Sequence, residues 1–159
     1  MAILEIPKKE DNPILRDTAK PVKKVDKKLR KLIKDMIDTM YHVNGVGVAA
    51  PQVGISLALS VARINPETAQ ETVLVLINPR IISHSKKIIT MEEGCLSVPG
   101  KWGDTERYQE VTVTFENEKG NEFTMTFEGF NARIIQHEVD HLNGKLYLDH
   151  CDEVHEEEN

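Results

Sequence analysis

Apolar residues recur at spacings of three and four through Val25, Leu29, Leu32, Ile33, Met36, Ile37 and Met40, with lysines and aspartates between them. That period predicts an amphipathic helix over about 26–42, with Asp26 as its N-cap. Before it, Asn12-Pro-Ile-Leu-Arg16 reads as a turn or extended lead-in, because proline biases its predecessor away from helix. Further on the pattern shifts to strands. Residues 57–64 and 73–77 predict two of them, the second closed by Asn78-Pro79, and Ile81-Ile82 with Ile88-Ile89 suggest another short pair. Val111, Val113 and Phe115 alternate with Thr112, Thr114 and Glu116, and the alternation resumes at Phe123, Met125 and Phe127 after a glycine-bearing turn. That is a hairpin with one buried face. A second helix is predicted over about 131–142 and ended by Gly144, and 146–149 reads as strand-like. Strands precede and surround this one helix, so the class is α+β.

Composition narrows the picture. A chain of 159 residues fits one domain with a real core, and residues 1–150 are taken as that domain, with 151–159 as an acidic, frayed tail. A formal net charge of -6 argues against a phosphate-backbone binder. The lysines and the arginine over 20–32 alternate with apolar positions and read as a solvated helix face. No signal-peptide pattern opens the sequence, and the strand-like run 73–77 is far short of the roughly 20 apolar residues of a membrane span. The expectation is a cytoplasmic protein with neither membrane nor direct nucleic-acid contact. In such a reducing compartment, Cys95 in a glycine-flanked turn points to metal binding or catalysis rather than a disulfide with Cys151.

The chemistry centres on His137-Glu-Val-Asp-His141. Four residues advance an α-helix about 400° at about 1.5 Å each, so both imidazoles leave one face a turn apart. Glu138 then lies near any bound cation without being a ligand. Alone, the motif fits many hydrolases. A catalytic site needs a third ligand and an open position. The metzincin continuation requires histidine at 147, where this chain has Tyr147. Glu153 or Glu156 to Glu158 have no helix to return them, and His150 and Cys151 need a sharp fold-back of 146–149. Cys95, in Met91-Glu-Glu-Gly-Cys-Leu-Ser-Val-Pro-Gly100, is the better candidate, against the bland reading of a small buried hydrophobe.

Three segments, Gly45-Val-Gly-Val-Ala-Ala-Pro-Gln52, Glu93-Gly-Cys-Leu-Ser97 and Gln136-His-Glu-Val-Asp-His-Leu-Asn-Gly144, resemble the signature motifs of peptide deformylases, in the family's order. The resemblance implies antiparallel sheets packed around a central helix that carries the histidine motif. It implies removal of the formyl group from N-terminal formyl-methionine of nascent polypeptides, with transient ribosome proximity. By position it makes Cys95, His137 and His141 metal ligands and Glu138 the general base and acid. Gln52 and the Leu96 backbone N–H become oxyanion donors, and Gly47 lines the cleft. The implied cofactor is one divalent ion, natively Fe2+, with Zn2+, Ni2+ or Co2+ as substitutes; coordination chemistry alone suggests zinc. Val46, Met91, Phe130 and Ile134 are candidates for the methionine pocket, and Arg107 for a buried pair with Glu93. An endopeptidase and a catalytically silent metal module are the rival readings.

Overall fold

The structure is a computed structural model and describes residues 2–6 and 12–156. After a short 3-10 turn at Pro13–Arg16, the first helix, α1, spans Lys27–His42, with the Asp26 side chain accepting from the Leu29 N–H at 2.8 Å as its N-cap. Strand β1 (Gly47–Ala49) runs into a 3-10 turn, Ala50–Val53, and on to β2 (Leu59–Ile64) and β3 (Thr72–His84). Then come β4 (Ile88–Cys95), β5 (Val98–Tyr108), β6 (Glu110–Glu116) and β7 (Glu122–Glu128). Helix α2 covers Gly129–Leu142, and β8 covers Cys151–Glu156.

The strands form two antiparallel sheets, one ordered β1-β2-β3-β6-β7 and the other β4-β5-β8. Every residue of β2 is buried because both of its faces are covered. Leu59 and Val61 pack with Leu29, Ile33, Met36 and Met40 of α1. Ala62 and Ile64 pack with Ala132, Ile135 and Val139 of α2. Each side chain of this size taken out of water contributes about 1.5–3 kcal/mol, so the helices are fixed mainly by their apolar stripes. A third cluster, Leu15, Val98, Leu146 and Tyr147, ties the second sheet to the lead-in before α1. The α+β class, the antiparallel sheets and both helices are as expected, and α2 carries the histidine motif.

Three expectations are corrected. Asn78-Pro79 does not close a strand: β3 continues to His84, and the pairing with β6 shifts register between Ile77 and Arg80. Proline, which has no N–H to give a ladder, sits inside that bulge. Asn78 takes the left-handed conformation (φ 50°) and holds the bulge by bonding both the N–H and C=O of Val22 at 2.8 Å. Ile81-Ile82 therefore belong to β3 and Ile88-Ile89 to β4 of the other sheet. Second, residues 147–150 form a 3-10 turn, because Leu146 and Tyr147 bury side by side instead of on opposite faces. Third, the segment from Cys151, expected to be frayed, pairs with β5 through Glu156. Pairing at a sheet edge uses backbone groups and leaves no hydrophobic period in the sequence. Residues 157–159 lie outside the described residues. No helix among the described residues is long and apolar enough to cross a membrane.

Candidate metal centre

Cys95 ends β4, where the β4–β5 pairing shifts register after Glu93 and turns its thiol toward α2. Opposite it, His137 and His141 project from one face of α2, one turn apart. Their Nε2 atoms lie 3.2 Å from each other, and His141 Nε2 lies 3.3 Å from Cys95 Sγ. The three ligand atoms fall within 4.8 Å of one another. Around a tetrahedral cation with bonds of about 2.0–2.3 Å, neighbouring donors stand about 3.3–3.6 Å apart. The donor set, two imidazoles and one thiol, therefore fits a divalent transition metal. It does not fit calcium or magnesium, which take oxygen.

Electrostatics point the same way. Burial alone would raise the Cys95 thiol, but the charge of His141 and hydrogen bonds from both histidines hold it well below the usual thiol range. Burial likewise disfavours a charged His137, yet its bonds to Cys95 and Glu93 push it up to about 10. Thiolate and imidazolium thus compensate each other, and a cation binding there displaces the imidazole proton. His137 Nδ1 faces Glu93 Oε1 at 3.0 Å, which fixes the ring so that Nε2 looks into the site. His141 Nδ1 is buried with no hydrogen-bond partner among the described residues.

Gln52 comes from the 3-10 turn after β1. Its Oε1 accepts the Ala49 N–H at 2.9 Å, which turns Nε2 toward Cys95 Sγ (3.5 Å) and Ser97 Oγ (3.2 Å). Glu138 is buried, and Ser60 Oγ donates to its Oε2 at 2.8 Å. Burial raises the Glu138 carboxyl above the ordinary glutamate range despite the nearby histidine charges. Gly47 packs against the same carboxylate: a Cβ on it would stand 2.5 Å from Glu138 Oε1.

These groups share a cleft of about 580 Å3, whose lining includes Gly47, Gln52, Cys95, Leu96, His137 and Glu138. Val46, Phe130 and Ile134 also line it, as expected, whereas Met91 does not and stands largely exposed on β4. The ligand candidates set aside at the sequence level are engaged elsewhere. His150 bonds Asp140, and Cys151 bonds Tyr147 and Thr105. The side chains of Glu153 and Glu156, and residues Glu157 and Glu158, lie outside what the structure describes.

Arg107 binds Glu93 as expected, with Nε and Nη2 on the two carboxylate oxygens at 3.1 Å each. Sequence reasoning missed a second buried guanidinium, Arg133, on the same carboxylate. It also missed Ser60 and Ser97. Ser60 had one signal, a lone hydroxyl in the apolar run of β2. Arg133 had none, because one arginine on a helix is ordinarily surface.

The family model described as Polypeptide deformylase matches residues 3–157. A peptide deformylase of Halothermothrix orenii is 48% identical over 158 residues, covering 99% of each chain. The crystal structure of the Thermotoga maritima peptide deformylase superposes with a TM-score of 0.89 at 40% identity, covering 96% of this chain and 100% of that one. The class I type b peptide deformylase of Acinetobacter baumannii, solved with Met-Ala-Ser bound, gives 0.86 at 38% identity, covering 94% of this chain and 98% of that one.

Proposed function

The chain belongs to the polypeptide deformylase family, and from that premise we propose that Cys95, His137 and His141 hold one divalent cation at which an N-terminal formyl group is hydrolysed. As a family member the protein is an enzyme that removes N-terminal formyl groups. The division of labour within the cleft is our reading. The observation that carries it is the convergence of Cys95 Sγ and the two imidazole Nε2 atoms beside Gln52 and Glu138.

A cation in this set supplies Lewis acidity, bringing the pKa of water down toward neutrality. Glu138, raised by burial and steadied by Ser60, accepts the proton of the attacking water and returns it to the leaving amine. Gln52 Nε2 and the Leu96 backbone N–H donate to the oxygen that gains charge as the formyl carbon becomes tetrahedral. Each such donor contributes about 3–4 kcal/mol in comparable sites. Gly47 leaves room for Glu138 and lines the path of the substrate backbone. Val46, Phe130 and Ile134 offer the apolar wall that a methionine side chain fills. The bond broken joins the formyl carbon to the amine nitrogen, and formate and a free amino terminus leave.

We assign Fe2+ as the native cation, with Zn2+, Ni2+ or Co2+ able to replace it. Equal lifetimes of iron-loaded protein with and without air would remove iron, because a ferrous thiolate site oxidises. We read the chain as one catalytic unit acting on formyl-methionyl ends of nascent polypeptides in the cytoplasm, with transient ribosome proximity. The deciding measurement is formate release from formyl-Met-Ala after anaerobic iron loading, with Glu138→Gln as control. Turnover by wild type, and turnover reduced about 10²–10⁴-fold in the variant, is expected. Metal uptake without formate would leave a binding module instead, and cleavage of internal peptide bonds an endopeptidase.

A further inference from the structure

Asp140 lies inside the histidine motif yet takes no part in the ligand set. Its Oδ2 meets two groups, the Nη1 of Arg107 and the Nε2 of His150, the latter at 2.9 Å. From Arg107 the contacts run inward without a break. Arg107 spans both oxygens of Glu93 at 3.1 Å, and Glu93 Oε1 meets His137 Nδ1 at 3.0 Å. Arg133 binds the other Glu93 oxygen and is itself tied to the Thr105 and Ile89 carbonyls at 3.0 and 2.6 Å. Glu93, Arg107 and Arg133 are buried, whereas the His150 side chain keeps 35% of its exposure. A charged chain therefore reaches from the protein surface to the ring of one candidate metal ligand.

The geometry gives Asp140 a task within that chain. A guanidinium is a rigid planar fork, and its direction is set when two of its edges are held. Glu93 holds one edge of Arg107 and Asp140 the remaining nitrogen. Without Asp140 the fork can turn about Glu93, and the oxygen that Arg107 shares with His137 turns with it. Glu93 Oε1 is the acceptor that His137 Nδ1 faces in this arrangement. His141 Nδ1 has no partner among the described residues, so the ligand set is oriented through His137. Ligating histidines depend on such an acceptor for tautomer and ring direction.

We propose that Asp140, with His150 capping its outer side, is a positioning residue for His137, acting through Arg107 and Glu93. This rests on the metal reading above. A purely structural Asp140 would lower stability when removed but leave the metal's affinity and ligand field unchanged.

Metal-free wild type, Asp140→Asn, His150→Leu and His150→Gln are each titrated with Co2+ against a chelator. The visible ligand-field bands of the cobalt forms are recorded, with circular dichroism as the check on folding. Asp140→Asn is expected to bind about tenfold or more weakly, the range typical of lost outer-shell partners, with shifted bands. His150→Leu is expected to move in the same direction, while His150→Gln, whose amide can still donate to Asp140, stays close to wild type. A folded Asp140→Asn protein with wild-type affinity and bands overturns the proposal. Should that variant fail to fold, the two His150 variants decide, and equal affinities overturn it. Wild type that takes up no cobalt sinks the metal reading itself, a result distinct from either.

Discussion

Ser60 donates a 2.8 Å hydrogen bond from β2 to the carboxylate of Glu138 on α2, so a hydroxyl in a fully buried strand faces the proposed base. Glu138 sits above the ordinary glutamate range because burial outweighs the charges of His137 and His141. The Ser60 bond works against that rise, since it favours the ionised form. A base must be ionised to act, so activity falls as pH drops through the Glu138 pKa. Ser60→Ala removes the lowering influence and should move the acid limb of kcat/KM to higher pH, with little change on the alkaline side. Glu138→Gln should reduce turnover about 10²–10⁴-fold on the plateau above that pKa, and by less below it, while metal content stays at wild-type level. Profiles of formate release from pH 5 to 9 test both, and an unmoved acid limb in Ser60→Ala would separate the hydroxyl from the base.

Gln52 is held at both ends, its oxygen on the Ala49 N–H and its nitrogen beside Cys95 and Ser97. Gln52→Leu keeps the volume and loses the donor. Turnover should fall about 10²–10³-fold, the usual effect of removing one oxyanion donor. The orphaned Ala49 N–H should also cost about 1–3 kcal/mol of stability. Metal analysis and urea unfolding separate the two effects, and a variant with full metal and normal turnover would exclude Gln52 from the reaction.

Glu93 gives a pH dependence of stability whose sign follows from its shift. Burial alone would raise its pKa, but hydrogen bonds from His137 and Arg107 hold it at about 2, below the ordinary 4.5. A folded-state pKa lower than the unfolded one stabilises the protein above pH 4.5, and that contribution disappears as pH falls toward 2. The shift corresponds to roughly 3 kcal/mol at neutral pH. Wild type should therefore exceed Glu93→Gln in unfolding free energy by a margin that is full at pH 7 and shrinks steadily below pH 4.5. A margin independent of pH would mean that Glu93 acts through packing and not through its charge.

What the sequence made legible, and what it hid, follow physical lines. Helix α1 could be read because a single stripe of apolar residues faces β2 and charged residues face water. The ligand candidates could be read because His137 and His141 are four apart and Cys95 sits among glycines and carboxylates. Tyr147 and Leu146 defeated the period, because a 3-10 turn buried both. The β8 pairing was invisible because a backbone ladder at a sheet edge leaves no period in the sequence. Arg133 and His150 reach Glu93 and Asp140 across 40 and 10 residues of sequence, and such partners have no local mark. The groups that would do chemistry were readable, while most of those that would hold them in place were not.

Gly47 tests the fit between the two readable halves of the site. It pairs with Ala62 in the β1–β2 register, and its missing side chain faces the Glu138 carboxylate. A methyl group there would stand 2.5 Å from Glu138 Oε1 and 2.8 Å from its Cδ. Those distances are far inside van der Waals contact, so one side must give. Glu138 cannot retreat easily, because its other oxygen is bonded to Ser60 and its helix is packed against β2. Gly47→Ala should then displace the carboxylate, and a base misplaced by about 1 Å costs on the order of 10²-fold in turnover. The strand itself should tolerate alanine, so the melting temperature should change far less than the activity. If Gly47→Ala kept normal turnover, the carboxylate would not need the position seen here, and the role given to Glu138 would fail with it.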